Sequence, residues 1–206
     1  MGRRKRKTRH WIADKERDPY TRQARAAGYR SRAAFKLQQI DEKDHLFKGT
    51  SRVLDLGSAP GGWSQYARDK ASRGSVVAVD ILPMEPVEGV TFLQEDFTDE
   101  AVQARLLELV SPNSYDLVIS DMAPNITGIV DADQANAAAL AERAIGFSAR
   151  VLGKGGIALV KLFEGGEALR IRRLGETLFC RSVVRKPQAS RDKSREIYLL
   201  LRQPRA

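Results

Sequence analysis

The residues best suited to chemistry lie just beyond runs of apolar, β-branched sequence. The segment Asp55-Leu-Gly-Ser-Ala-Pro-Gly-Gly-Trp-Ser sets three glycines and a proline between such a run and a helical pattern. Glycines there let the backbone turn tightly and approach a ligand with no Cβ in the way. The order Gly57-Ser-Ala-Pro-Gly61-Gly62 is neither G-x-G-x-x-G nor a G-K-[ST] phosphate cradle, which disfavours a dinucleotide or a nucleoside triphosphate. Asp80 closes the next apolar run, where a carboxylate can accept from both hydroxyls of a ribose. Asp96 follows a third run and can accept from an adenine amino group. Together they describe a site for an adenosine without phosphate, as in S-adenosylmethionine. Trp63 stands where it could touch that cofactor. Asp55, inside the first run, needs hydrogen-bond partners, which the amides of the turn could supply.

These residues are useful only if the chain brings them together. Arg52–Leu56, Ser75–Asp80, Val90–Glu95, Tyr115–Asp121 and Gly156–Leu162 read as strands. Helices are expected from a Ser31 cap to Asp44, over Gly62–Ala71 and Glu100–Val110 (capped by Asp99), over Asp131–Leu152 closed by Gly153, and around Glu167–Leu178. Arg181–Lys186 and Arg195–Arg202 could close the sheet as an antiparallel pair. The alternation predicts an α/β fold, a mostly parallel sheet with helices on both faces. Ligands in such sheets sit beyond the carboxyl ends of the strands. The glycine turn, Asp80, Asp96, Asp121 and Lys161 each stand at or just after a strand.

Charge bounds the partner. Residues 1–36 carry 13 Lys and Arg against 3 Asp and Glu, and residues 179–206 carry 8 against 2, around a middle of net −7. Basic ends flanking an acidic body point to a polyanion, because clustered cations release its counterions. Tyr20, Tyr29 and Phe35 lie among the arginines of the first basic region, where they could stack on bases or anchor the segment. One cysteine and two histidines disfavour disulfide, thiol and zinc chemistry. With no apolar run of membrane-spanning length and no secretory signal, a cytoplasmic protein is expected. The organisation expected is a basic arm over 1–16 and one domain over 17–206, with a monomer as the default.

Five segments resemble the FtsJ/RrmJ family of ribose 2′-O-methyltransferases. They are Tyr29-Arg-Ser-Arg-Ala-Ala-Phe-Lys-Leu, Leu54-Asp-Leu-Gly-Ser-Ala-Pro-Gly-Gly-Trp-Ser-Gln, Ser120-Asp-Met-Ala-Pro-Asn, Val160-Lys-Leu-Phe-Glu-Gly and Lys186-Pro-Gln-Ala-Ser-Arg-Asp-Lys-Ser-Arg-Glu-Ile-Tyr. They run from about residue 20 to the C-terminus in family order. The resemblance implies a Rossmann-like S-adenosylmethionine-dependent methyltransferase fold, a seven-stranded, mostly parallel sheet with an antiparallel last strand. It implies a catalytic quartet at Lys36, Asp121, Lys161 and Glu196, and cofactor contacts at Gly61, Trp63, Asp80, Asp96 and Asp121. The substrate it implies is a uridine ribose of large-subunit ribosomal RNA, in the A loop of the assembled subunit.

On that resemblance, Lys161 would orient the 2′-oxygen and accept its proton, while Asp121 and Glu196 hold the lysines in place. Taken singly, Lys36, Lys161 and Glu196 read as ordinary surface charges; the family context is what joins them. Arg30, Arg32, Arg185, Lys186, Arg191 and Lys193 flank Lys36 and Glu196 in sequence and are candidates for RNA phosphate contact. The competing readings are a methyltransferase of transfer RNA or capped RNA, a small-molecule O-methyltransferase, and a non-enzymatic RNA-binding ribosome assembly factor.

Overall fold

A computed structural model describes residues 18–205, apart from 51, 72, 111–113, 126 and 192–193. The basic arm expected over 1–16 and the phosphate candidate Lys193 lie outside the described residues. The element order is α1 (Pro19–Ala26), α2 (Ala33–Asp44), β1 (Arg52–Leu56), α3 (Gly62–Lys70), β2 (Ser75–Asp80), β3 (Val90–Gln94), α4 (Glu100–Glu108), β4 (Tyr115–Ser120), α5 (Val130–Val151), β5 (Leu152–Phe163), α6 (Ala168–Leu178), β6 (Phe179–Arg185) and β7 (Glu196–Pro204). The strands form one seven-stranded sheet, ordered β3-β2-β1-β4-β5-β7-β6. β7 runs antiparallel to both neighbours and the other pairings are parallel.

Alternation along the strands divides the core. Val53, Leu117, Ile119, Leu159 and Leu200 pack under α2 and α3, with Leu37, Ile40 and Trp63. Their neighbours Leu54, Val118, Val160 and Leu201 face α4, α5 and α6, with Leu106 and Ile145. Such continuous apolar strands belong at the centre of a sheet covered on both sides.

Four local details differ from the expectations. Helix α1 is an addition to them; Asp18 caps it, its Oδ1 accepting from Thr21 N at 3.1 Å with Pro19 at the first turn. Ser31 does not cap α2: that helix starts after Arg32 with no side-chain cap, and Ser31 Oγ lies against Gly62 instead. Gly153 does not close the long helix, which passes through Leu152 straight into β5. β5 begins four residues earlier than expected because it pairs Leu152 with Tyr115 across a register shift.

Candidate active site

The strand register assembles the catalytic candidates. Ser120 pairs with Val160, so Asp121 and Lys161, the next residues, emerge side by side at the carboxyl ends of β4 and β5. Lys161 Nζ lies 3.0 Å from Asp121 Oδ1 and donates to the Asp121 backbone oxygen at 3.0 Å. Across the antiparallel pair, Lys161 faces Tyr198 and Phe163 faces Glu196. Glu196 and Tyr198, two residues apart, share a face of β7. The Tyr198 hydroxyl donates to Asp121 Oδ1 at 2.7 Å, and Glu196 Oε1 pairs with Lys36 Nζ of α2 at 2.7 Å. Lys36 Nζ also lies 5.9 Å from the centre of the Tyr198 ring.

All four members of the quartet are therefore brought together, and Tyr198 joins the two ion pairs. Tyr198 was missed as a site residue. The signal for it was present, since a strand alternates and Tyr198 follows Glu196 by two. Burial pushes the Asp121 carboxyl up, but Lys161, then Lys36, with the Tyr198 hydroxyl bond, overcome it and hold the carboxyl below its ordinary range. Burial, then the charges of Asp121 and Glu196, push the Tyr198 phenol well above its usual value, so it stays a donor.

Beside this group lies a cavity of about 390 Å³, lined among others by Gly57, Asp80, Asp96, Phe97, Asp121 and Asn125. Asp80 is fixed by amides on either side, Oδ2 accepting from Ala59 N and Oδ1 from Leu82 N, both at 2.8 Å. Asp96 Oδ1 accepts from Thr98 Oγ1 at 2.7 Å and Thr98 N at 2.8 Å, bonds that lower its carboxyl. Each anion is thus held in place with lone pairs left for a ligand. Gly57 makes the close approach possible: its φ is +77°, and a Cβ there would stand 2.9 Å from Met122 Cα.

The cavity suits the adenosine expected from the sequence in three respects. It offers a fixed carboxylate for the ribose, a second for an amino group, and apolar walls from Leu82 and Phe97. Gly57→Ala is expected to weaken cofactor binding at least tenfold by calorimetry, since main chain rather than a flexible side chain would have to give way. Unchanged affinity would remove Gly57 from the site.

Two of the five expected cofactor residues do not line this cavity. Gly61 packs against Arg30 and Met84. Trp63 is 3% exposed, donates its indole N–H to Ala33 O at 2.7 Å and lies 5.6 Å from the Tyr198 ring, so it braces α2 and Tyr198. Asp55 also departs from expectation. Its Oδ2 accepts from Ser64 Oγ at 2.6 Å, not from turn amides, and its Oδ1 has no partner among the described residues.

The phosphate candidates divide sharply. Arg30 donates to the backbone oxygens of Pro60, Glu85 and Pro86. Arg32 pairs with Asp18 and donates to Ala189 O. Arg185 makes a two-pronged contact with Asp44, at 2.6 Å on each oxygen. Each of these three guanidinium groups therefore already has partners within the fold. Lys186 is exposed, and Arg191 is exposed with only a 4.0 Å approach to Asp18.

The family model of the FtsJ-like methyltransferases matches residues 29–203. A ribosomal RNA large subunit methyltransferase E from Azoarcus sp. is 49% identical over 191 residues, 92% of this chain and 93% of that protein. One from Nitrosospira multiformis is 50% identical over 191 residues, covering 92% and 93%. A solved structure of a putative ribosomal RNA methyltransferase from Plasmodium falciparum superposes with a TM-score of 0.76 at 28% identity, covering 85% of this chain and 98% of that one. With the match spanning sheet, cavity and quartet alike, the chain belongs to the FtsJ-like methyltransferase family and is an S-adenosylmethionine-dependent methyltransferase.

Proposed function

We propose that this methyltransferase acts on the 2′-hydroxyl of a uridine ribose in large-subunit ribosomal RNA, in the A loop of the assembled subunit. We further propose that it works as a cytoplasmic monomer, with one methyltransferase domain over 17–206 behind a basic arm. The observation that carries the reading is the recessed group of Lys161, Asp121 and Tyr198, tied to Lys36 and Glu196, beside a cavity suited to S-adenosylmethionine. Relatives named for large-subunit ribosomal RNA, over nearly their whole length, support the substrate.

When bound, the cofactor supplies an electrophilic methyl group and its own leaving group. Asp80 would hold the cofactor's ribose and Asp96 its adenine amino group, and the backbone of the Gly57–Gly61 turn would face the remainder. Trp63 would support that turn from behind, through its contacts with Ala33 and Tyr198. Lys161 Nζ orients the ribose oxygen for in-line attack, and Asp121 and Tyr198 fix Lys161 in turn. As the oxygen–carbon bond forms, the hydroxyl becomes acidic and passes its proton to the Lys161–Asp121 pair. Lys36 and Glu196 neutralise one another beside the entering ribose.

The reading is tested by transfer of labelled methyl from S-adenosylmethionine to unmethylated large subunits, transfer RNA and capped RNA. Label in a 2′-O-methyluridine of the large-subunit RNA is the expected result. Label in another RNA would keep the chemistry and overturn the substrate. Cofactor binding with no transfer to any RNA would favour the assembly-factor reading.

The sorted arginines give a further expectation. Converting Lys186 and Arg191 to alanine should weaken RNA binding and lower the slope of log affinity against log salt by about 1–2, with cofactor affinity and folding unchanged. Arg185→Ala should instead lower stability, by about 1–3 kcal/mol, because it strips Asp44 of its partner. A smaller salt slope for Arg185→Ala in a fully stable protein would reverse that assignment.

A further inference from the structure

The side chains of Lys36, Glu196, Lys161 and Asp121 are only 9–17% exposed. A ribose stacked within an RNA helix cannot bring its 2′-oxygen to atoms so recessed. The reacting nucleotide has to leave its stack, and its base then needs a surface to replace the neighbours it left. Ile129 and Val130 are 66% and 64% exposed, more than any other large hydrophobic side chain among the described residues. Ile81 and Leu82, also exposed, belong to the cofactor cavity. Leu169 sits on α6, next to the Arg170–Glu142 pair.

Ile129 and Val130 stand at a defined place. The segment that carries them leaves the wall of the cofactor cavity at Pro124 and Asn125. It re-enters the fold at the start of α5, where Gln134 Oε1 lies 2.6 Å from the position of a Cβ on Gly165, in the loop after β5. The two ends thus lie near the carboxyl ends of the paired strands β4 and β5, beside Asp121 and Lys161.

The segment is also fixed by hydrogen bonds. Asp133 accepts from Thr127 Oγ1 at 2.7 Å, Thr127 N at 2.8 Å and Gly128 N at 3.1 Å, and Thr127 Oγ1 accepts from Ile129 N at 3.2 Å. Gly128, at φ +90°, turns the chain within this clamp. These bonds fix the turn while Ile129 and Val130 remain exposed to solvent.

We propose that Ile129 and Val130 form the platform for the unstacked base of the nucleotide being methylated, a site of apolar contact distinct from the phosphate-binding cations. This rests on the ribose 2′-hydroxyl being the acceptor. The platform contacts the flat face of the base and holds the glycosidic end while Lys161 holds the 2′-oxygen. It selects for an unstacked nucleotide and makes no demand on the base's hydrogen-bonding edge.

The test compares the full chain with an Ile129→Ser, Val130→Ser double variant, using unmethylated large subunits and labelled S-adenosylmethionine. The expected result is a fall of about tenfold to thirtyfold in kcat/KM for RNA, the scale set by taking two apolar side chains away from a base. Three other readouts should stay put: cofactor affinity, the thermal midpoint, and the salt slope of RNA binding, since no counterion-releasing cation is removed. Ile129→Leu with Val130→Ile should restore the rate. Activity unchanged in the serine variant, or a loss accompanied by a smaller salt slope, overturns the platform while leaving the proposed function intact. A wild-type protein that methylates no RNA removes both.

Discussion

Lys161→Ala is expected to lower single-turnover methyl transfer to RNA by about 10²–10⁴-fold, the span typical of a positioned proton-transfer group. Nζ is the atom that meets both Asp121 Oδ1 and the Asp121 backbone oxygen at 3.0 Å, so its loss removes the group that orients the acceptor and half of the pair that takes its proton. Asp121 keeps the Tyr198 hydroxyl at 2.7 Å, and the Asp80 and Asp96 anchors are untouched. Cofactor affinity should therefore change by less than about threefold, while the transfer rate collapses. Lys161→Arg should not restore the rate, because a guanidinium is longer, planar and does not give up its proton. Near-normal turnover by the alanine variant on its correct RNA would exclude Lys161 from the chemistry. An equal loss of cofactor binding would make its role structural.

The second large effect is on stability and its dependence on pH. Asp55 is fully buried in β1, and burial pushes its carboxyl up to about 7; the Ser64 hydrogen bond opposes the shift, and the charges of Asp121 and Asp80 add to it. In the unfolded chain the same group ionises near 3.8. Between those values the native state binds one proton more than the unfolded state, so stability falls as pH rises across the window. The contribution is fully present below the unfolded value and is gone once pH has risen past about 7, beyond which the curve is flat.

Asp55→Asn keeps the shape and an acceptor for Ser64 but cannot ionise. Urea unfolding at pH 5 and pH 8 should show a drop for the wild type larger than that for the variant by on the order of 2–3 kcal/mol. The variant should be the more stable of the two at pH 8. Parallel pH profiles for the two proteins would show that Asp55 is ionised throughout, with a partner supplied at Oδ1.

Much of the fold was legible in the sequence. The apolar runs of β1, β2 and β4 have near-continuous hydrophobic character, which only a doubly covered sheet can bury, and their bounds fell within a residue of the structure. The Asp99 cap of α4 was readable because a cap is a local hydrogen bond, here Ala101 N to Oδ1 at 2.9 Å. Ser31, the same kind of signal, failed because its hydroxyl is packed beside Gly62 of a helix distant in sequence, away from the helix end it would have capped. The continuous α5–β5 passage was hidden for a similar reason, since the first residue of β5 is held by pairing with Tyr115, 37 positions earlier.

The sequence by itself determined the strand–helix order, the placing of Asp80, Asp96, Asp121 and Lys161 at or near the carboxyl ends of strands, and, through motif resemblance, which residues to group as the quartet. All of these follow from periodicity and local type, which are properties of short segments. Only the tertiary structure decided which charges are free and which are already paired. Arg185 and Lys186 are neighbours of like charge, yet one is spent on Asp44 across 141 positions and the other is exposed. The same holds for Tyr198, whose hydroxyl reaches Asp121 over 77 positions, and for Trp63, turned away from the cavity toward Ala33. A side chain's role depends on the donor or acceptor facing it, and for these residues that partner is supplied by the register of the sheet and the packing of α2, not by neighbours in the chain.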